Sequence, residues 1–417
     1  MHSTLAFTAA ALLAAVTTAA VAAPTESAIY SFTGGNDGGF PHAGLIANRN
    51  HTALFGTTAS DGAGHNGVVF KLTPPAAGQT AWTETVLYSF TGGNDGAIPY
   101  ASLYVDAAGN LYGTTEGGGA SGEGVVYQLS PPAAGKSAWT QTVLHSFTGG
   151  ADGGEPWSPI IADATGALYG TATIGGAGVV GALWKLSPPA VPNGGWTESV
   201  LYNFTGNADG GEPFGRLVFG PNGSLFGTSA GYGEYNYGTL YAITPPKLPG
   251  RAWSFHLLHA FRGGNDGSTP RDGLTASPSG VLFGTTAGFD NSYGTVYELA
   301  PNASGHGTTY KVLYNFTGPG FTGNGPWQTV SLDSAGNLYG TTLGDGDSAN
   351  GEVFELSPPA NGATQWTETT LHTFQGGADG QFPYTKPLVL GNTLYGTVEG
   401  AAGEFGFFPG NVWTITR

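Results

Sequence analysis

The stretch Trp82-Thr83-Glu84-Thr85-Val86-Leu87-Tyr88-Ser89-Phe90-Thr91-Gly92-Gly93-Asn94-Asp95-Gly96 decides the fold, because it returns along the whole chain. It is a strand-like run up to Phe90, rich in threonine and aromatic residues, and then breaks into a glycine loop. The phenylalanine before the loop recurs as Phe32, Phe90, Phe147, Phe204, Phe261, Phe316 and Phe374, at spacings of 58, 57, 57, 57, 55 and 58 residues. A fixed period of this length marks a repeat architecture and overrides a domain count taken from 417 residues.

Each unit holds four strand-like runs, here lettered a to d. Strand a follows a proline, as in Ala101 to Val105. Strand b is Leu111-Tyr112-Gly113-Thr114-Thr115, and strand c is Val125-Val126-Tyr127-Gln128-Leu129 before Ser130-Pro131-Pro132. Strand d is the quoted run. Glycine, asparagine and proline punctuate them where the chain must reverse. Four short antiparallel strands per repeat predict an all-β, seven-bladed β-propeller with four-stranded antiparallel blades. The chain opens on a lone d strand, Ala28-Ile29-Tyr30-Ser31-Phe32, and finishes on a lone c strand, Val412-Trp413-Thr414-Ile415. The ring is therefore expected to close by pairing the N-terminal strand with the last blade, which removes two exposed edges. An open β-solenoid gives no reason for this offset and needs polar capping repeats, which are not visible.

The Leu-Tyr-Gly-Thr-Thr run, the glycine loop and the Gly-x-Val-Phe-x-Leu run resemble the GloVer tandem repeat of bacterial extracellular proteins, the "choice-of-anchor" group. The resemblance covers nearly the whole chain after residue 22. It implies a secreted, propeller-like repeat protein and no established activity. Family members often carry a C-terminal anchoring segment; this chain ends on a strand, so release from the cell is expected.

Composition agrees with a strand-and-turn protein: 73 Gly, 27 Pro, 12% aromatic and only 10% charged residues. The formal net charge of −16 argues against nucleic acid as a partner. With no cysteine, disulfides, thiolate metal sites, cysteine catalysis and lipidation through an N-terminal cysteine are excluded. Leu5 to Ala23 is apolar and ends in Ala20-Val21-Ala22, a small-x-small cleavage pattern. Residues 1–22 are read as a signal peptide and 23–417 as one propeller domain. Met1-His2-Ser3-Thr4 departs from the pattern in having no Lys or Arg. A secreted protein is expected, with the periplasm as an alternative, without a membrane span after leader removal, and as a monomer.

Function is sought where the copies differ. In an up-and-down blade the d-to-a and b-to-c loops emerge on one face. That face collects the loop aspartates Asp37, Asp95, Asp152, Asp209, Asp266 and Asp379, replaced in the sixth repeat by Gly318-Pro319-Gly320-Phe321. Each aspartate is read as tying its own turn, in preference to binding calcium; Asp345-Gly346-Asp347 is only a fragment of a calcium loop. No metal and no cofactor are assigned. The same face carries the irregular b-to-c segments 231–237, 288–293 and 404–408.

The residue after the strand-a proline is His42, Tyr100, Trp157, Phe214, Arg271, Trp327 and Tyr384 in the seven copies. Strand a is innermost in a propeller, so these side chains are expected to ring the channel mouth. Two readings stand: stacking of a sugar or other flat ligand, and packing against the next blade. Arg216, Arg262 and Arg271 stand out among few basic residues, either as partners for an anionic ligand group or as compensation for Asp209, Glu212, Asp266 and Asp272. The ligand-binding set is thus His42, Tyr100, Trp157, Phe214, Arg216, Arg271, Trp327 and Tyr384.

No nucleophile elbow, zinc-protease motif or phosphate loop is present. His145, His259 and His372 occupy the slot of Tyr88 and Tyr202 and are read as tolerated variants. Two functions are carried forward. One is a secreted binding or surface-interaction module for a polysaccharide or cell-surface glycan. The other is an extracellular glycoside hydrolase or lyase working at the channel mouth, for which Glu155 and Glu212 lie in matching positions; no catalytic residue is assigned.

Overall fold

The structure is a computed structural model that describes residues 24–191, 194–248, 250–288, 293–301, 307–317, 325–344, 350–360, 363–400, 402–403, 406–407 and 409–417. Residues 1–23, with the expected leader, residues 318–321 and 345–347, and parts of the loops 288–293 and 404–408 lie outside that set.

Seven four-stranded antiparallel sheets carry the chain around a ring. Blade one is Ile46–Ala47 (a), Leu54–Thr58 (b), Val68–Thr73 (c) and Thr83–Ser89 (d), paired in that order. The pattern repeats through blade six. Blade seven takes a, b and c from Leu388–Leu390, Thr393–Val398 and Asn411–Thr416, and its outer strand from Thr25–Ser31. The closing strand behaves as a d strand in detail. Every c–d pair has one register shift, leaving Leu87 unpaired in blade one and Ile29 in the closing pair. Such a shift marks a β-bulge, which bends the outer strand.

Why these residues form blades is legible in three repeated contacts. The first is aromatic. Each recurring phenylalanine is buried and meets an aromatic ring on strand c of the next blade, as in Phe90–Tyr127 at 5.1 Å and Phe147–Trp184 at 5.9 Å. Phe32–Phe70 and Phe374–Trp413 carry this circuit through the closing blade. Fully burying one such ring contributes roughly 1.5–3 kcal/mol. The second is the strand-b glycine, which lies across the sheet from that strand-c aromatic. A Cβ on Gly113 would stand 2.4 Å from the Tyr127 hydroxyl, and on Gly170 2.3 Å from the Trp184 ring. Glycine makes room for a ring within its own blade. The third is the threonine that follows. Thr228 Oγ1 donates to the Asp272 carbonyl (2.9 Å) and Thr285 Oγ1 to the Gln328 carbonyl (3.0 Å), each in the next blade. Thr397 Oγ1 to the Ala43 carbonyl (3.2 Å) does the same across the closure.

Strand a is shorter than the sequence suggested. The run expected from Ala101 to Val105 is paired only at Tyr104–Val105. The residues before it are shaped by a tight turn at the proline, and that turn builds the candidate site.

Candidate functional site

The residue before the strand-a proline sits in left-handed backbone in six of the seven copies: Phe40, Ile98, Glu155, Glu212, Thr269 and Phe382 have φ between 49° and 59°, while Gly325 does not share it. This is an uncommon conformation for any residue with a Cβ, and more so for β-branched Ile98 and Thr269. Hydrogen bonds on both sides hold it. The Ile98 N–H donates to the Asn66 carbonyl of the preceding blade (3.0 Å), and its carbonyl accepts from Glu116 N–H (3.0 Å) and Tyr100 N–H (3.1 Å). The last bond spans two residues and closes a γ-turn around Pro99. His42, Phe214 and Tyr384 make the same bond, at 2.9, 3.0 and 2.9 Å. The strained residue fastens adjacent blades, and the turn aims the next side chain at the axis.

The seven side chains so aimed form an unbroken circuit. Ring centroids are 4.7 Å apart for His42–Tyr100, 4.8 Å for Tyr100–Trp157 and 5.4 Å for Trp157–Phe214. The Arg271 guanidinium lies 5.4 Å from the centre of Phe214 and 4.1 Å from that of Trp327. Trp327–Tyr384 at 5.4 Å and Tyr384–His42 at 4.8 Å complete it. The collar encloses a cavity of about 50 Å³, enough for a few waters and too small for a sugar ring. Trp157 Nε1 and Arg271 Nε are buried without a hydrogen-bond acceptor among the described residues.

Arg216 is not in the collar. It belongs to the next layer along strand a, inside the channel and exposed to water there. Arg262 is on the rim, 5.4 Å from the Tyr235 ring centre. Among the described residues none of the three arginines makes an ion pair. Asp272 opposes the effect of burial on Arg216, and Glu212 does so on Arg271.

Two acids missed in the sequence lie at the collar. Glu116 and Glu399 follow strand b, where the other copies have Ala59, Thr173, Ala230, Ala287 and Leu343; that departure was the available signal. Burial pushes Glu399 up to about 7 and raises Glu116, with Glu155 adding to the latter. His42 Nε2 is 3.8 Å from Glu399 Oε1, and burial lowers His42 to about 4, so near neutral pH this is a contact between neutral imidazole and a partly protonated acid. Burial raises Tyr100, and Glu116 and Glu399 both add to that rise. Glu155 and Glu212 hold the strained pre-proline positions instead.

The loop aspartates tie their turns. Asp95 accepts from Thr91 N–H (2.9 Å), Thr91 Oγ1 (2.5 Å) and Tyr88 Oη (2.9 Å). His259 and His372 take the tyrosine's place, with Nε2 3.0 Å from Asp266 and 3.1 Å from Asp379. One group among the described residues has metal-like spacing: Glu26, His372 and Asp379 offer ligand atoms all within 4.8 Å of one another. The b-to-c loop 231–237 is less irregular than its sequence. Its Tyr232–Tyr237 bridge matches Asp61–Asn66, Gly118–Glu123 and Gly175–Val180 in blades one to three. A shared backbone there presents different side chains, with Tyr232 and Tyr235 exposed in blade four.

Fold and collar together define a seven-bladed repeat propeller with a side-chain-lined axial channel. Its sequence matches the Gloeobacter/Verrucomicrobia repeat over residues 13–156, 82–290 and 155–408. The chain belongs to that family. No curated protein sequence matches it. Solved structures similar to it include a candidate 6-phosphogluconolactonase from Bacteroides uniformis, at 14% identity and TM-score 0.49, covering 79% of this chain and 85% of that one. A protein of unknown function from Dyadobacter fermentans has 12% identity and TM-score 0.44, over 95% and 100%. A puromycin-hydrolysing peptidase from Mycobacterium tuberculosis has 13% identity and TM-score 0.48, over 85% of this chain and 48% of its own. At these scores none informs function.

Proposed function

We propose that the protein is a secreted binding propeller that takes a polysaccharide or cell-surface glycan on its collar face. The observation that carries this reading is the collar: five aromatic side chains, a histidine and an arginine in one closed circuit at the channel mouth. The apolar C–H face of a sugar stacks on such rings, and its hydroxyls find polar edges beside them. The cavity inside the collar is too small to admit a sugar, so the glycan lies across it. Tyr232 and Tyr235 extend an aromatic surface outward in blade four.

A second reading rests on Glu116 and Glu399. A carboxyl whose pKa burial pushes up to about 7 is suited to act as a general acid, and Glu116, whose charge acts with that of Glu399 on Tyr100, offers a second acid for a glycosidase or lyase. A glycan array run beside a reducing-sugar assay separates the two. Binding without turnover, weakened tenfold or more in the Trp157→Ala, Trp327→Ala double variant, supports the binding module. Sugar release abolished by Glu399→Gln supports the enzyme. Glycan binding unchanged in the double variant refutes the collar as the site.

A further inference from the structure

The channel beyond the collar holds a feature the collar does not explain. Channel-lining residues continue along strand a two positions after the collar: Gly44, Ser102, Pro159, Arg216, Gly273, Thr329 and Lys386. Five blades manage without a charge at this level, so the fold does not require one. The other two place an arginine and a lysine in a single cavity of about 330 Å³, lined also by Tyr104, Ile161, Val218 and Thr275. Those residues come from blades two, three, four, five and seven, which puts the cavity on the axis.

The charges there are poorly neutralised. Lys386 Nζ donates to Thr275 Oγ1 (2.6 Å), across the channel, and that hydroxyl itself donates to the Val330 carbonyl (2.5 Å). An ammonium has three N–H donors, so two are left for a ligand. The Arg216 guanidinium has no hydrogen bond or ion pair among the described residues, and water reaches it. Asp272 is the one carboxylate acting on both cations. It is buried, and its Oδ2 accepts from Thr329 N–H (2.9 Å) on the collar side. Among the described residues, no acid lines the cavity itself.

We propose that the axial channel between Arg216 and Lys386 is a binding site for a small oxyanion, reached from the face opposite the collar. Two cations at one narrow level repel each other, and an oxyanion between them removes the repulsion while accepting from the guanidinium fork and the free ammonium donors. The same chemistry comes from two sources: a free inorganic anion, or the carboxylate or sulfate of an acidic sugar. The site is on another layer than the collar and stands or falls independently of glycan binding there. Burial and the neighbouring Arg216 lower Lys386 to about 8, while Asp272 opposes them; Tyr104 is the further titratable group at the cavity wall.

The test is calorimetric titration of the full protein with sodium sulfate, sodium phosphate and sodium glucuronate, against sodium chloride at matched ionic strength. Saturable binding of at least one oxyanion is expected, with affinity falling at least tenfold in Arg216→Gln and in Lys386→Met and retained in Arg216→Lys. Glucuronate tighter than both inorganic ions points to an acidic sugar; the reverse points to a free anion. As Lys386 loses its proton, sulfate affinity is expected to fall between pH 7 and 9.5, which tests the site without any variant. No oxyanion bound above chloride, affinities unchanged in both variants, or a flat pH profile overturns the proposal.

Discussion

At the scale of single residues, the repeated positions are explained by space and by hydrogen bonds. Gly113 and Gly170 are glycines because a neighbouring ring occupies the volume a Cβ would take. Gly170→Ala is expected to lower unfolding free energy by about 1–3 kcal/mol, the usual range for forcing an extra carbon into a packed core. Urea denaturation checks this, and a stability equal to wild type would show that the Trp184 ring can yield. The loop aspartates were legible in the sequence as turn ties, since they keep a fixed place in the period; their bond to the Tyr or His of strand d was not. The strained residues before six of the seven prolines were not legible either. Ile98, Glu155 and Thr269 share no chemistry, and what unites them is a backbone angle set by bonds to two blades. Glu116, Glu399 and Lys386 were visible as departures from the period, but their importance depends on burial, which spacing does not report.

At the scale of strands, the outer d strands carry a pH dependence. Glu26, Glu84 and Glu198 each face the loop aspartate of the preceding blade, Asp379, Asp37 and Asp152. Burial, then the aspartate's charge, raises each to about 7. Their folded pKa lies above the unfolded value of about 4.3, so the folded state binds more protons. The stabilisation is full below pH 4.3 and is lost as pH rises through 7. Because these side chains are only partly buried, the effect is about 1 kcal/mol each after solvent screening. Asp95, Asp163 and Asp333 work in the opposite sense, since hydrogen bonds outweigh burial and lower them; their contribution is lost only in stronger acid. The melting temperature is therefore expected to fall between pH 5 and pH 8. The triple variant Glu26→Gln, Glu84→Gln, Glu198→Gln should flatten that slope, and an equal slope in the variant would contradict the assignment.

At the scale of the molecule, the offset between repeat and blade was legible from the ends of the chain, and the structure adds four independent links across the seam. Thr25–Ser31 pairs with Asn411–Thr416, with the same bulge as every other c–d pair. Phe32 packs on Phe70, Thr397 donates to the Ala43 carbonyl, and Phe40 N–H donates to the Pro409 carbonyl at 2.7 Å. The collar depends on this seam, because Tyr384 and His42 stack across it. What the sequence did not reveal is that the collar residues touch one another in a circuit; that follows from the diameter of a seven-membered ring, which no single repeat encodes. The most direct test of the closed ring removes residues 25–32 from the chain and follows melting temperature together with light scattering after size exclusion. The closed ring predicts a clear drop in melting temperature and self-association through the exposed edge of Asn411–Thr416. A truncated protein that stays monomeric and melts with the intact chain would contradict it.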